Sequence, residues 1–450
     1  MRIIFLAALV FFCYANSFSV PFLWDDEVMV VGNPLITSWS HVKDIFLSPA
    51  FGGTLTQDQF FRPIQILSYV FDYSIWGLNP FGFHLTSVLI HLISVILLFF
   101  LLKKIEIKGA WIVAALFAVH PIHIESVTYI SGRGDVLYVC LSLGCFLLFL
   151  HRRYFWACVC FGVAVLAKEN AIVVPFLISG YVGYIKKETG LRPVFTILGL
   201  AFAYLVFRFW VLPEGTMGAL SWISDASFYE RVLTLSHTLF TYLRLLIVPY
   251  DLHMEYHFVE SSLWGLLYLI PLGVAAYFVP RFWVFWFLMC LAPVLNIVMP
   301  LAATLREHWA ALASIAVIIA LSKLPRRALV VYGVFLIVMT IARNQDWQDP
   351  RTLYQHDLNL ESASFVLHNN LGVIEYRDGN YAAAKNAFEN SISTSPGGRY
   401  GTAHNNLGVI LEAEGKIKEA EDHYQKSIDY SQYPLAYENL ERLRKREIGH

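Results

Sequence analysis

The sequence predicts an all-α protein: a polytopic bundle of transmembrane helices followed by a short α-solenoid of tetratricopeptide repeats. Three observations carry this. Of the 450 residues, 57% are hydrophobic and 15% charged, with mean hydropathy +0.54, against about 25% charged in an average soluble domain. The charges fall in short clusters between apolar runs near the roughly 17–25 residues that cross a bilayer. From residue 345 the composition turns polar and a repeated pattern begins. The net charge of −1 comes with no basic face that would track a phosphate backbone, so no nucleic-acid partner is expected.

About eleven spans can be read, near 3–20, 83–102, 109–121, 136–150, 154–167, 170–185, 193–212, 262–279, 282–299, 308–322 and 327–343. Lys and Arg accumulate on the cytoplasmic side of a membrane. Arg2, Lys103-Lys104, Arg152-Arg153, Lys186-Lys187, Arg281 and Lys323/Arg326-Arg327 alternate as one side of a serpentine should. The segments 21–82, 122–135, the 168 region, 213–261 and 300–307 then fall on the opposite side. The apolar run 231–252 carries His237 and Arg244, and a crossing there would misplace the later basic clusters. It is therefore expected to lie along the outer interface or re-enter, which puts the C-terminal repeats outside. The N-terminal run ends in "CYANS", a passable signal-cleavage region. Its length and the acids that follow favour a retained first span. All six cysteines lie in apolar runs and read as buried small hydrophobes.

The outer segments hold the groups that can do chemistry. The first has three consecutive acids, Asp25, Asp26 and Glu27, then "FRP" with Arg62. The second is "HPIHIESVTYISGRGDVL", with His120, His123, Glu125, Arg133 and Asp135. "AKEN" brings Lys168 and Glu169, and "LREHW" brings Arg306, Glu307 and His308. Ionisable groups at span ends usually face a bundle interior or a water-filled cavity and mark function. Each also has a plain structural role open to it. The acids could cap a helix, the arginines could snorkel, and Lys168-Glu169 could be a local ion pair. His120 and His123 could share a helical metal face, but Glu125 lies off that face, so no metal is assigned.

The tail is a repeat array. "HNNLGVIEYRDGNYAAAKNAFENSISTSP" (368–396) is echoed by "HNNLGVILEAEGKIKEAEDHYQKSIDYSQYP" (404–434), and a third start follows at 436. Leu371, Gly372, Ala384, Phe388 and Pro396, then Leu407, Gly408, Ala420 and Tyr424, follow the tetratricopeptide pattern, whose ideal period is about 34 residues. The expected division is a membrane domain over 1–344 and a repeat domain over 345–450.

"WDDE" after the first span, "FRP", "WGLNPFGFHLTSVLIHL", "HPIHIESVTYISGRGDVL", "AKEN" and then the repeats together resemble the transmembrane-and-tetratricopeptide-repeat-containing O-mannosyltransferases and their bacterial relatives. "LREHWAAL" departs from that family's pattern. The resemblance implies a GT-C-fold glycosyltransferase that moves a sugar, mannose by family expectation, from a polyprenyl or dolichyl phosphate to a protein hydroxyl outside the cytosol. It implies a bacterial inner membrane with periplasmic repeats, or an endoplasmic reticulum membrane with luminal repeats. It leaves metal assistance open.

The residues suit that chemistry. A carboxylate takes the proton of the attacking hydroxyl, and cations hold the departing lipid phosphate. Asp26 is expected as the base, with Asp25 orienting it. Arg62, Arg133 and Lys168 are expected on the phosphate side. Glu27, His120, His123, Glu125, Asp135, Glu169, Arg306 and Glu307 are expected in support. The partners expected are a membrane lipid-linked sugar donor and an acceptor protein or peptide in the groove of the repeats. Two rival classes are a non-catalytic scaffold for envelope assembly and a transporter or polymerase of lipid-linked glycans. Convergence of the acids and cations at one surface would separate an enzyme from a scaffold.

Overall fold

The computed structural model describes residues 1–48, 50, 60–185, 191–210, 220–297 and 300–448. Lys186-Lys187 lie outside the described residues, as do parts of the first outer loop and of 213–261. Among the described residues the chain is helical throughout, with one isolated antiparallel bridge between Tyr256 and Leu305.

Four helices are long and apolar enough to cross a membrane: Arg2–Ser19, Pro80–Lys104, Ile130–Leu150 and Arg326–Asp346. A fifth arises if the pair Ala110–Ala118 and Pro121–Val127, bent by 54°, is one span. The protein is thus a multi-pass membrane protein. Its regular helices are shorter than the eleven-span reading expects. Pro121 breaks the third run. The 170–185 run starts as a 3-10 turn, Glu169–Val173, before the helix Val174–Tyr184. In the 308–322 run the α-helix covers only Ser314–Leu321. Irregular backbone at membrane depth is tolerated where it is buried in protein or lines a cavity. These broken ends carry His120, Glu169 and Glu307, so the interruptions lie beside the ionisable groups.

The helix Arg2–Tyr14 packs Leu6, Val10, Cys13 and Tyr14 into the main core. Side-chain amides tie it to the last apolar helix: Asn16 Nδ2 donates to the Ile341 carbonyl (3.1 Å) and Asn344 Nδ2 to the Cys13 carbonyl (3.1 Å). The helix Pro80–Lys104 starts at Asn79, whose side chain accepts from the Phe81 N–H, with Pro80 in the first turn. Two residues on, a Cβ at Gly82 would lie 2.1 Å from the Trp76 ring, which explains the glycine in "NPFGFH". The helix Phe228–Ile247 falls in the ambiguous 231–252 run. It is amphipathic, buries Leu233, Leu239, Tyr242, Leu245 and Leu246, and opens with a Ser227–Glu230 capping box.

The tail forms paired helices: Phe365–Arg377 with Tyr381–Thr394, then Gly401–Ala413 with Ile417–Ser431, then Pro434–Ile448. The glycine of each "NNLG" is a packing requirement. A Cβ at Gly372 would lie 2.5 Å from Phe388, and one at Gly408 2.7 Å from Tyr424. The helix Pro350–Leu360 precedes the pairs, capped by Asp349, which accepts from the Thr352 N–H (2.9 Å). Its Leu353 and Tyr354, with Leu367, belong to the same buried cluster as the membrane helices. The repeats are docked against the bundle.

Candidate functional site

The acidic triplet sits in a tight turn after the first helix. Trp24 takes a positive φ of 53°, and the three acids then diverge. Glu27 points to the repeats and makes a bidentate pair with Arg377 (2.6 and 2.7 Å). Both side chains are about half exposed, so the pair adds at most about 1 kcal/mol. Asp26 is buried. Its carboxylate accepts from the Ser131 N–H (2.7 Å), the Ser131 hydroxyl (2.5 Å) and the Leu23 N–H (3.2 Å). Burial pushes its carboxyl up to about 7, against the pull of those hydrogen bonds and with help from the charge of Asp25. Asp25 is half-buried. Its N–H donates to Tyr129 Oη (3.1 Å), and the same hydroxyl hydrogen-bonds its carboxylate. Tyr129 and Ser131 thus lock "WDDE" to "VTYISGRGD".

That lock depends on close backbone approach. A Cβ at Gly132 would lie 2.4 Å from the Glu125 carbonyl oxygen, and one at Gly134 2.6 Å from Gln65 Oε1. Overpacking of this kind costs about 1–3 kcal/mol. Gly132→Ala is therefore expected to lower the melting temperature in detergent, because backbone must move. An unchanged melting curve would contradict the packing described here.

The cations divide into two groups. Arg133 is fully buried and belongs to the scaffold. It pairs with Asp72 (2.5 Å), donates to the Phe83 carbonyl (2.7 Å), and bonds Ser87 and Ser68. This does not fit the expected phosphate role, since Asp72 already neutralises it and no face of it meets solvent. The second group forms an arc of ion pairs. Arg62 lies over the Phe60 ring and bonds Glu169 at 2.6 and 3.1 Å. Burial would raise the Glu169 carboxyl, but the Arg62 pair overrides it and holds it at about 2. Lys168 Nζ bonds Asp135 (2.6 Å), and His308 stands 3.9 Å from that carboxylate. His308 Nδ1 meets Glu125 (2.8 Å). Arg306 pairs with Glu255 (2.5 Å), lies over Trp24 (5.8 Å), and feels the charges of Glu125 and Asp25.

The arc therefore gathers Asp25, Arg62, Glu125, Asp135, Lys168, Glu169 and Arg306, and adds His308. Its partly exposed nitrogen groups are Arg62 (13%), Arg306 (19%) and the His308 ring (12%). Lys168 is buried. Trp24, Tyr129, Tyr354 and Trp347 form an aromatic wall beside Asp25, with ring centroids 5.6–6.4 Å apart.

Besides Asp26, Glu27 and Arg133, three expected residues lie apart from the arc. His120 bonds the Leu246 carbonyl (3.1 Å), and His123 packs on Phe117 at 4.2 Å. Both are buried. Glu307 turns inward, accepting from the His253 N–H (2.5 Å) and the Tyr256 hydroxyl (2.9 Å). Burial pushes its carboxyl well above the usual range, and its hydrogen bonds support the 253–256 segment. Among the described residues no group of three or more His, Cys, Asp or Glu could hold a metal ion.

Sequence reasoning misses Glu255 and Asp72, and each left a trace. Asp72 is a lone charge in the apolar helix Pro63–Trp76 and so needs a buried partner. Glu255 sits between His253 and His257, an alternation that suits an extended segment. Ser131 left no signal.

The arrangement defines a class: a multi-pass helical membrane protein whose broken helix ends gather carboxylates and cations beneath a docked repeat array. A family profile described as tetratricopeptide repeat matches residues 363–432. Part of the chain is similar in sequence to curated protein O-mannosyl-transferases. It is 31% identical over 204 residues to "Protein O-mannosyl-transferase TMTC1" of Mus musculus, covering 43% of this chain and 21% of that one. It is 35% identical over 182 residues to "Protein O-mannosyl-transferase TMTC2" of Homo sapiens, covering 36% and 21%. The chain thus spans about a fifth of the length of the curated relatives it matches. Among solved structures it is similar to ArnT from Cupriavidus metallidurans bound to undecaprenyl phosphate, at 14% identity and a TM-score of 0.38 over 94% of this chain and 79% of that one. A score that low carries no weight for fold or chemistry.

Proposed function

We propose that this chain is a GT-C-type membrane glycosyltransferase. It moves a sugar, mannose by its relatives' names, from a polyprenyl-phosphate donor to a protein hydroxyl on the non-cytoplasmic face. The observation that carries the reading is a half-buried carboxylate, Asp25, next to Trp24, over whose ring Arg306 lies at 5.8 Å at one end of the arc of ion pairs. What supports Asp25 over Asp26 as base is exposure. Asp26 is 1% exposed, whereas Asp25 is half-buried.

In this reading Asp25 accepts the proton of the acceptor hydroxyl as its oxygen bonds the anomeric carbon. The bond from that carbon to the phosphate oxygen breaks, and the configuration inverts. The lipid leaves as a phosphate monoester, whose growing charge Arg306, Arg62 and His308 stabilise, because charge-assisted hydrogen bonds strengthen in a water-poor site. Trp24, the partly exposed ring of the aromatic wall, can stack the sugar, and Asp26 holds the loop on Ser131. Lys168 fixes Asp135, and the repeats engage the acceptor or a protein presenting it.

The test is transfer by the purified full chain in lipid nanodiscs, given polyprenyl-phosphate mannose and Ser/Thr peptides. The expected products are mannosylated peptide and polyprenyl phosphate in equal amounts. Donor binding without transfer to any hydroxyl would overturn the reading. In sealed vesicles of known orientation, protease on the non-cytoplasmic side should remove the repeats. Cleavage from the cytoplasmic side alone would overturn the proposed sidedness.

A further inference from the structure

Segment 252–258 runs extended between two surfaces. On one edge the Tyr256 N–H bonds the Leu305 carbonyl (3.3 Å), next to Arg306. On the other, the first helices of the tail hold it. The Met254 N–H donates to Asp357 (2.8 Å) and the His257 N–H to Glu361 (3.1 Å). Asp357 is fixed by Arg343 (2.9 and 3.1 Å). Glu255 sits at the centre of this sandwich, 1% exposed. One carboxylate oxygen takes Arg306 (2.5 Å). The other accepts from the Ser364 hydroxyl (2.8 Å) and faces His257 Nε2 (3.2 Å). Ser364 is itself fully buried and caps the first repeat helix, accepting from the Leu367 N–H (3.2 Å).

A buried carboxylate with three partners is a rigid anchor. Burial would raise the Glu255 carboxyl, yet Arg306, His257 and Ser364 hold it down at about 2, so it is ionised whenever the protein is folded. An arginine side chain is long and has many rotamers. Pinning one terminal nitrogen to a fixed carboxylate restricts where the rest of the guanidinium can point. Preorganisation of that kind strengthens binding without adding a contact to the ligand.

We propose that Glu255 is a positioning residue for Arg306, and that Ser364 of the first repeat holds Glu255 in place, so the repeat array forms part of the lipid-phosphate site. This rests on the phosphate role given to Arg306 under the proposed function. It goes beyond the sequence-based expectation, in which the repeats hold an acceptor protein or peptide in their groove. The bond from Ser364 makes the donor side depend on the repeats.

The experiment uses the full chain in detergent, with undecaprenyl phosphate as the binding probe. Steady-state transfer is measured with donor and acceptor varied separately. Ser364→Ala is expected to weaken undecaprenyl phosphate binding and raise donor KM about tenfold, the lower end of what a hydrogen bond to a charged group contributes. Acceptor KM should change little, and Ser364→Thr should restore the wild-type value. In an Arg306→Gln background, Ser364→Ala should add nothing, because residues acting through one group are non-additive. Glu255→Gln keeps the shape without the charge and should shift donor affinity the same way, giving a second reading if Ser364→Ala folds poorly. Wild-type donor affinity in folded Ser364→Ala or Glu255→Gln protein would overturn this inference alone. Additive losses with Arg306→Gln would do the same. A wild-type chain that neither binds undecaprenyl phosphate nor transfers sugar would overturn the functional reading, and this inference with it.

Discussion

Asp25→Asn is expected to lower turnover by about 10²–10⁴, the range for loss of a general base, while undecaprenyl phosphate still binds. The amide keeps the volume and most of the hydrogen bonding to Tyr129, so what is lost is basicity. Asp26→Asn should act differently. Its amide would present a donor or a weaker acceptor to Ser131, which already donates from both its N–H and its hydroxyl. The expected result there is a drop in melting temperature with a smaller loss of turnover. The protonation behaviour of Asp26 points the same way. With its carboxyl raised to about 7 and an unfolded value near 3.9, the folded chain holds an extra proton between those limits. Its contribution to stability therefore falls as pH rises through that window. Turnover measured beside melting temperature separates the two acids. Equal loss of turnover in both variants, with unchanged stability, would favour a shared catalytic role over this division.

Arg133→Ala is expected to leave little folded protein. Arg133 and Asp72 are both fully buried, and removing one member of a buried pair costs about 3–5 kcal/mol, because the other charge is left without a partner. Whole domains are stable by only about 5–15 kcal/mol. The control is Arg133→Met with Asp72→Leu, which removes both charges and should recover much of the melting temperature. Yield of monodisperse protein and its melting curve are the measurements. An Arg133→Ala protein that melts like wild type and loses only donor affinity would return Arg133 to the phosphate side.

The helical class and the repeats were legible because each rests on periodicity. Apolar runs mark membrane helices, and "NNLG" recurs wherever a glycine must admit Phe388 or Tyr424. The regions carrying the site were legible for a similar reason, since charge between spans is expensive and therefore informative. The separation of roles within those regions was not. "SGRGD" offers Arg133 and Asp135 two residues apart, yet one is bonded to Asp72 and the other to Lys168. Partner choice depends on which helices pack together, and a single sequence does not show that. The same limit hid Glu255, whose partners Arg306 and Ser364 lie 51 and 109 residues away. It also hid the different surroundings of Asp25 and Asp26, because only the fold reveals that Ser131 bonds one of them. The helix boundaries were less legible for a different reason. A hydropathy run reports apolar length and is blind to the broken backbone that Pro121 and the "AKEN" turn impose.

The hydrogen bonds between the first and last apolar helices bear on the order in which the molecule can be built. Asn344 reaches back to the Cys13 carbonyl and Asn16 forward to Ile341, 331 and 325 residues apart. Ser364 must then meet Glu255 before Arg306 is pinned. During synthesis, the acidic turn emerges before the groups that fix its surroundings. Tyr129 and Ser131 reach it about a hundred residues later, and Arg306 and Ser364 only after them. The site closes as a clasp between the earliest and latest stretches of this membrane bundle.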